Sequence, residues 1–106
     1  NGVKLIARVL DGVDGKGLRG VAEDFKKQIG SGVVALVGVT DGKAAITVAV
    51  TPDMAGKVNA ADLARDAVIA MGGKGAGGKP DFAQGGAPDG SKAEEGLNAI
   101  RTALRG

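Results

Sequence analysis

The chain has no cysteine, no histidine, no tryptophan and no tyrosine, and only two phenylalanines in 106 residues. Without cysteine there is no disulfide, no thiolate nucleophile and no zinc site of the usual kind, a composition compatible with the reducing cytoplasm. Without histidine the commonest general base and the commonest transition-metal ligand are missing. Catalysis by a triad, a histidine acid or a zinc centre is therefore excluded within this chain. Carboxylates and lysines remain, but none stands in an evident acid and base pair. No apolar run approaches the length of a membrane span and the N-terminus lacks a signal-peptide pattern, so no membrane partner is expected.

Apolar residues make up 43% of the chain and charged residues 25%, an ordinary globular composition with length for one domain. The apolar share leans on Ala, Val and Leu, so the core is aliphatic and light. A net charge of +2 and a pI near 9.1 are too mild to argue for nucleic acid on their own. The chain begins at Asn1, without methionine and inside what reads as a strand, which suggests a single domain, 1–106, excised from a longer polypeptide.

Residues Val3 to Leu10 alternate, with Val3, Leu5, Ala7 and Val9 on one face and Lys4, Ile6, Arg8 and Leu10 on the other. That period of two predicts a half-buried strand near a sheet edge. Asp11 to Gly17 is turn chemistry. Leu18, Val21, Ala22, Phe25 and Ile29 then form a helical stripe ended by Gly30, with Arg19, Glu23, Lys26 and Lys27 on the wet side. Gly32 to Thr40 is a near-continuous apolar run, predicting a central strand covered on both faces. Asp41-Gly42 makes a hairpin turn into a third strand, Lys43 to Thr51. Asn59 is a good N-cap for a second helix whose apolar face is Ala60, Leu63, Ala64, Ala67, Val68 and Met71, with Val58 and Leu63 as a staple. Ser91 to Glu94 reads as a capping box for a third helix with Leu97, Ile100 and Leu104 inward. The expected fold is α/β (α+β): a small mixed sheet of at least three strands in the order β-α-β-β-α-loop-α, packed with three helices. The first two strands, joined through a helix, are expected to be parallel.

The loop in that scheme is the glycine-rich stretch 72–90, GGKGAGGKPDFAQGGAPDG, which holds eight of the chain's 20 glycines. A segment this long without regular structure is either functional or disordered. Gly73, Gly75 and Gly78 satisfy GxGxxG, but the dinucleotide motif needs a strand before it and a helix opening at it. Gly73, Gly78 and Lys79 match a phosphate loop until Pro80 replaces the Ser or Thr that would hold magnesium. Context thus fails both NAD and ATP. What survives is their shared physics: glycine N–H groups allow close approach, and Lys74 and Lys79 supply charge. The opposing reading is structural, with Gly72 and Gly73 capping a helix, Gly77 and Gly78 turning the chain, and Pro80 with Phe82 pinning it to the core. Asp81 and Asp89 read as turn formers before a metal pair, so no metal is expected. The cations Lys16, Arg19, Lys26 and Lys27 read as a solvated helix face, and without interleaved aromatics base stacking is not expected there.

The run GGKGAGGKPDFAQGG followed by a short helix, with GKGLRGVAEDFKKQIGSGVVALVGVTDGKAAITVAVT upstream, resembles the DHHA1 domain found at the C-terminus of alanyl-tRNA synthetase. The resemblance implies a noncatalytic domain of an ATP-dependent ligase. It would help grip the outer corner, or elbow, of an alanine-specific tRNA and promote cooperation between aminoacylation and editing domains. It carries an RNA-binding role onto Gly72, Gly73, Lys74, Gly75, Gly77, Gly78, Lys79, Gln84, Gly85 and Gly86, and a structural role onto Pro80, Asp81 and Phe82. Ala76 and Ala87 stand where many relatives have glycine. No cofactor is implied for the domain itself, while ATP and magnesium, with zinc as a further option, are implied for the parent enzyme. Two other roles stay open, an oligomerisation module that makes a homodimer and a phosphoesterase accessory domain that binds substrate phosphate. The histidine that ends the phosphoesterase motif is missing here.

Overall fold

A computed structural model describes residues 4–105. The elements are β1 (Leu5–Asp11), α1 (Gly15–Ile29), β2 (Val33–Thr40), β3 (Lys43–Val50), α2 (Ala60–Ala70), β4 (Ala76–Lys79), β5 (Phe82–Ala87), a 3-10 turn (Gly90–Lys92) and α3 (Ala93–Arg105). The strands form one sheet in the order β1-β2-β3-β5-β4. β1 and β2 are parallel, as the helical crossover requires, and the other neighbours are antiparallel.

The sheet is covered on both faces, which is why β2 is an almost unbroken apolar run. Val33, Ala35 and Val37 of β2 point into the larger core, where they meet Ile46, Val48, Leu63, Val68, Leu97 and Ile100 beneath α2 and α3. Val34 and Leu36 point the other way, against Leu18 and Ala22 of α1. β1 alternates as its sequence predicts, with Leu5, Ala7 and Val9 toward the larger core and Ile6 and Leu10 toward α1. Val3, assigned to the same strand from sequence, lies outside the described residues.

Local signals place the helix ends. Asp14 caps α1 by accepting from the Gly17 N–H at 2.9 Å, so the helix begins at Gly15, inside the stretch that reads as turn chemistry. Asn59 caps α2 by accepting from the Asp62 N–H at 3.1 Å. At α3 the expected capping box gives way to a different device. Asp89 accepts from the Ser91 N–H at 2.9 Å and from the Ser91 hydroxyl at 2.5 Å, so the serine side chain is a donor to the cap. The chain therefore makes a 3-10 turn before α3 starts at Ala93.

Gly20 stands exposed in the middle of α1, and a Cβ placed there would meet nothing within 4 Å. Glycine costs up to about 1 kcal/mol against alanine in such a position. Gly20→Ala is accordingly expected to stabilise the chain by that amount in urea unfolding, and a loss of stability would contradict it.

The largest departure from the sequence reading is at 72–90, which is mostly not a loop. It folds back as the β4–β5 hairpin, and β5 pairs with β3 across six residues from Ala44↔Ala87 to Ala49↔Phe82. The sheet therefore has five strands. Strands spelled AGGK and FAQGGA have little β propensity of their own. Pairing with β3 and packing beneath α2 supply what propensity does not.

Candidate nucleic-acid interface

The hairpin is fixed at its turn by two backbone bonds from other elements. The Ala60 N–H, at the start of α2, donates to the Pro80 carbonyl at 2.8 Å, and the Val50 N–H donates to the Asp81 carbonyl at 2.8 Å. Pro80 suits this two-residue connection because its fixed φ is already that of a turn. On the face toward α2 the hairpin is tightly packed. A Cβ at Gly85 would lie 2.6 Å from Ala76 Cβ and 2.7 Å from Val68 Cγ2, and one at Gly73 would lie 2.5 Å from Val68 Cγ1. Gly78 is crowded too, by Ala83 and the Phe82 carbonyl, and has φ +154. Gly72, φ +86, turns the chain out of α2. Packing and turning thus account for Gly72, Gly73, Gly78 and Gly85. A Cβ at Gly75 or Gly77 would meet nothing within 4 Å, and at Gly86 only the Ala44 carbonyl at 3.5 Å.

The opposite face of the hairpin is open, because α1 lies over β2 and β3 and stops short of β5 and β4. Strand alternation directs Phe82 and Gln84 to this face, with Gly77 opposite Gln84 and Lys79 opposite Phe82. Gln84 ties the face to the start of α1. Its amide donates to the Gly15 carbonyl at 3.0 Å and to the Thr47 hydroxyl at 3.1 Å, and Thr47 is fully buried. Between α1 and the hairpin run two adjoining depressions of about 530 and 350 Å³, sharing Arg19 and Gln84. Lys16 and Asp14 lie at one end of this trough, and Lys26, Glu23, Lys79 and Asp81 at the other. Arg19 holds its guanidinium 5.4 Å from the centroid of the Phe82 ring. That is within cation–π range.

The structure separates residues that sequence reasoning grouped, and groups others that it kept apart. Lys74 precedes β4 and Lys79 ends it, at most about 17 Å apart at about 3.3 Å of rise per residue. Lys74 lines a different depression, with Lys43, Gly75, Gly86 and Pro88, away from the trough. Lys16, Arg19 and Lys26, read from sequence as a solvated helix face, join Lys79 instead. No aromatic is interleaved with these cations as a binding pattern in sequence, but Phe82, 63 positions along the chain, lies beneath Arg19. The signal that could have found it was the single aromatic side chain in an otherwise light, glycine-rich run.

Two carboxylates are held below the usual aspartate range, Asp53 by hydrogen bonds from the Ser31 and then the Thr51 hydroxyls, and Asp89 by those from Ser91. Both serve turns or caps outside the trough. Asp81 contributes its carbonyl to the hairpin and Asp89 caps a turn, and among the described residues no group of three or more carboxylates could hold a metal ion. The trough offers charge, one stacked cation and exposed backbone. Its four cations, Lys16, Arg19, Lys26 and Lys79, stand beside three carboxylates, Asp14, Glu23 and Asp81.

A family model of the DHHA1 domain matches residues 2–106. The chain belongs to the DHHA1 domain family. Across its whole length this DHHA1 domain is 76% identical to alanine–tRNA ligase of Caulobacter vibrioides and 54% identical to that of Hyphomonas neptunium, over 106 residues in each case. It spans only 12% of the length of each of those relatives. Among solved structures it resembles the C-Ala domain of Aquifex aeolicus alanyl-tRNA synthetase, with a TM-score of 0.91 and 27% identity, covering 99% of this chain and 94% of that one. The mixed sheet with three helices agrees with that fold, and the resemblance drawn from the glycine-rich run holds for the DHHA1 domain as a whole. Among the described residues no helix is long and apolar enough to cross a membrane.

Proposed function

We propose that this DHHA1 domain is a noncatalytic tRNA-binding part of a cytoplasmic alanine–tRNA ligase, helping to hold the elbow of the tRNA while the ligase's other domains aminoacylate and edit. The observation that carries this reading is the open trough between α1 and the β4–β5 hairpin, where Lys16, Arg19, Lys26 and Lys79 converge on a backbone floor. Sugar and phosphate contacts of this type fix register on a nucleic acid without reading its sequence. The domain works without a cofactor of its own, and its partners are tRNA and the neighbouring domains. A net charge of only +2 keeps affinity in the nonspecific range, about 10⁻⁴ to 10⁻⁶ M, and tethering to the ligase raises the effective concentration.

Amide chemical-shift titration of the chain with an alanine tRNA tests this directly. Resonances of 16–26 and 77–84 are expected to move, while Asp62, Arg65 and Ile69 on the outer side of α2 stay in place. Shifts confined to α2 and α3 would remove the trough from the binding surface.

The homodimer reading rests on β1, the end strand of the sheet, or on α3. The outer positions Lys4 and Arg8 are exposed. Cations on an edge strand discourage pairing with a second copy, so we favour the tRNA reading.

A further inference from the structure

The trough holds more than charge. Arg19 is exposed, yet its guanidinium lies over the half-buried Phe82 ring at 5.4 Å. A flexible arginine at the edge of the trough is thereby given a preferred place over the phenyl ring. The space beside it is kept clear, because the β4 residue opposite Gln84 is Gly77, where a Cβ would meet nothing within 4 Å. Gly77 has no left-handed φ to explain it. Lys79 and Lys26 line the same end of the trough.

We propose that Arg19, backed by Phe82, is a stacking platform for an RNA base whose face is not covered by a neighbouring base. This rests on the RNA-binding reading above and extends it from phosphate contact to contact with a nucleobase. Exposed bases stack on arginine planes as they do on aromatic rings, and a guanidinium already over a ring forms the middle layer of a base–Arg19–Phe82 stack. Lys79 and Lys26 then take the phosphates flanking that nucleotide. Gly77 leaves room for the sugar and base edge. An ammonium cannot replace the guanidinium here, since lysine has charge but no plane.

The test compares the 106-residue chain with Arg19→Lys, Gly77→Val and Gly77→Ala, using tRNA carrying 2-aminopurine in a loop, with anisotropy read over a range of salt. Thermal melting confirms that each variant is folded. Arg19→Lys is expected to weaken binding roughly tenfold, the effect of losing one base–side chain stack. Its salt slope should stay that of the parent because the charge is kept, and the 2-aminopurine signal that responds to the parent chain should no longer respond. Gly77→Val is expected to melt no lower than the parent, since valine favours a strand, and yet to bind RNA more weakly. If the valine variant melts lower, Gly77→Ala is compared instead, with a smaller loss in the same direction. Parent-like affinity of Arg19→Lys at every salt concentration, with an unchanged 2-aminopurine response, would overturn the stack and leave the trough as a phosphate site. Absence of tRNA binding by the parent chain itself would remove both readings.

Discussion

Gly38→Ala is expected to cost the chain about 3 kcal/mol, the upper end of what overpacking usually does. Gly38 lies in β2 between Leu10 of β1 and Ala45 of β3. A Cβ there would stand 2.0 Å from the Val13 carbonyl oxygen and 3.3 Å from Leu18 Cδ1. The first neighbour is backbone and cannot turn aside. Val13 belongs to the short connection from β1 to α1, which is held down on β2 by the Gly12 N–H donating to the Val39 carbonyl at 2.7 Å. A methyl group at residue 38 must lift that connection and loosen Asp14, which caps α1. The damage then reaches the trough, because Gly15, Lys16 and Arg19 lie in the first turns of α1, just after Asp14. Urea unfolding measures the loss, with Gly20→Ala as the opposite-signed control in the same family of substitutions. A midpoint equal to that of the parent chain would mean that the connection does not rest on Gly38.

Removing two cations of the trough together, Arg19→Ala with Lys79→Ala, is expected to weaken tRNA binding at least tenfold near physiological salt. With Lys79 on a phosphate and Arg19 on a base, the slope of log K against log salt becomes shallower by roughly 0.7 to 0.9, the share of one contact. The same pair of substitutions should leave folding nearly unchanged, since both side chains are exposed and neither makes an ion pair among the described residues. Lys74→Ala is the comparison that separates the trough from general basicity. Lys74 lies away from the trough beside Lys43, so its removal is expected to leave the slope unchanged, whereas general basicity would make it shallower by about 0.7 to 0.9. Equal slopes for the parent and the double variant would place the RNA elsewhere.

The framework of the domain was legible because its signals are local and repeat. The stripe Leu18, Val21, Ala22, Phe25 and Ile29 belongs to α1, the five buried residues from Ala60 to Val68 belong to α2 with Met71 as its C-cap, and Asp41-Gly42 turns β2 into β3 with both residues at positive φ. The hairpin at 76–87 was not legible from periodicity. Its glycines hide the alternation that strands usually show, and its turn is Pro80-Asp81, which lacks the Asn-Gly or Asp-Gly signature of the tightest hairpins. Its strand character comes from β3 and α2, which are distant in sequence. The same stretch was nonetheless the most recognisable part of the chain as a family signature, because residue order survives where hydrophobic pattern does not.

The sequence by itself determined the absence of histidine and cysteine chemistry, the central buried strand, the amphipathic helices with the Asn59 cap of α2, and membership of a recognisable domain type. The first three follow from composition or from spacing within one element, and the last from the resemblance carried by the residue order of the glycine-rich run. Only the tertiary structure decided which glycines are occupied by packing and which open on solvent, that Lys79 lies beside Arg19 and Lys26 while Lys74 does not, and that Phe82 lies beneath Arg19. Those relations join α1 to a hairpin more than 50 residues later. They depend on where the sheet leaves α1 short of its last two strands, a geometric fact that no local pattern encodes.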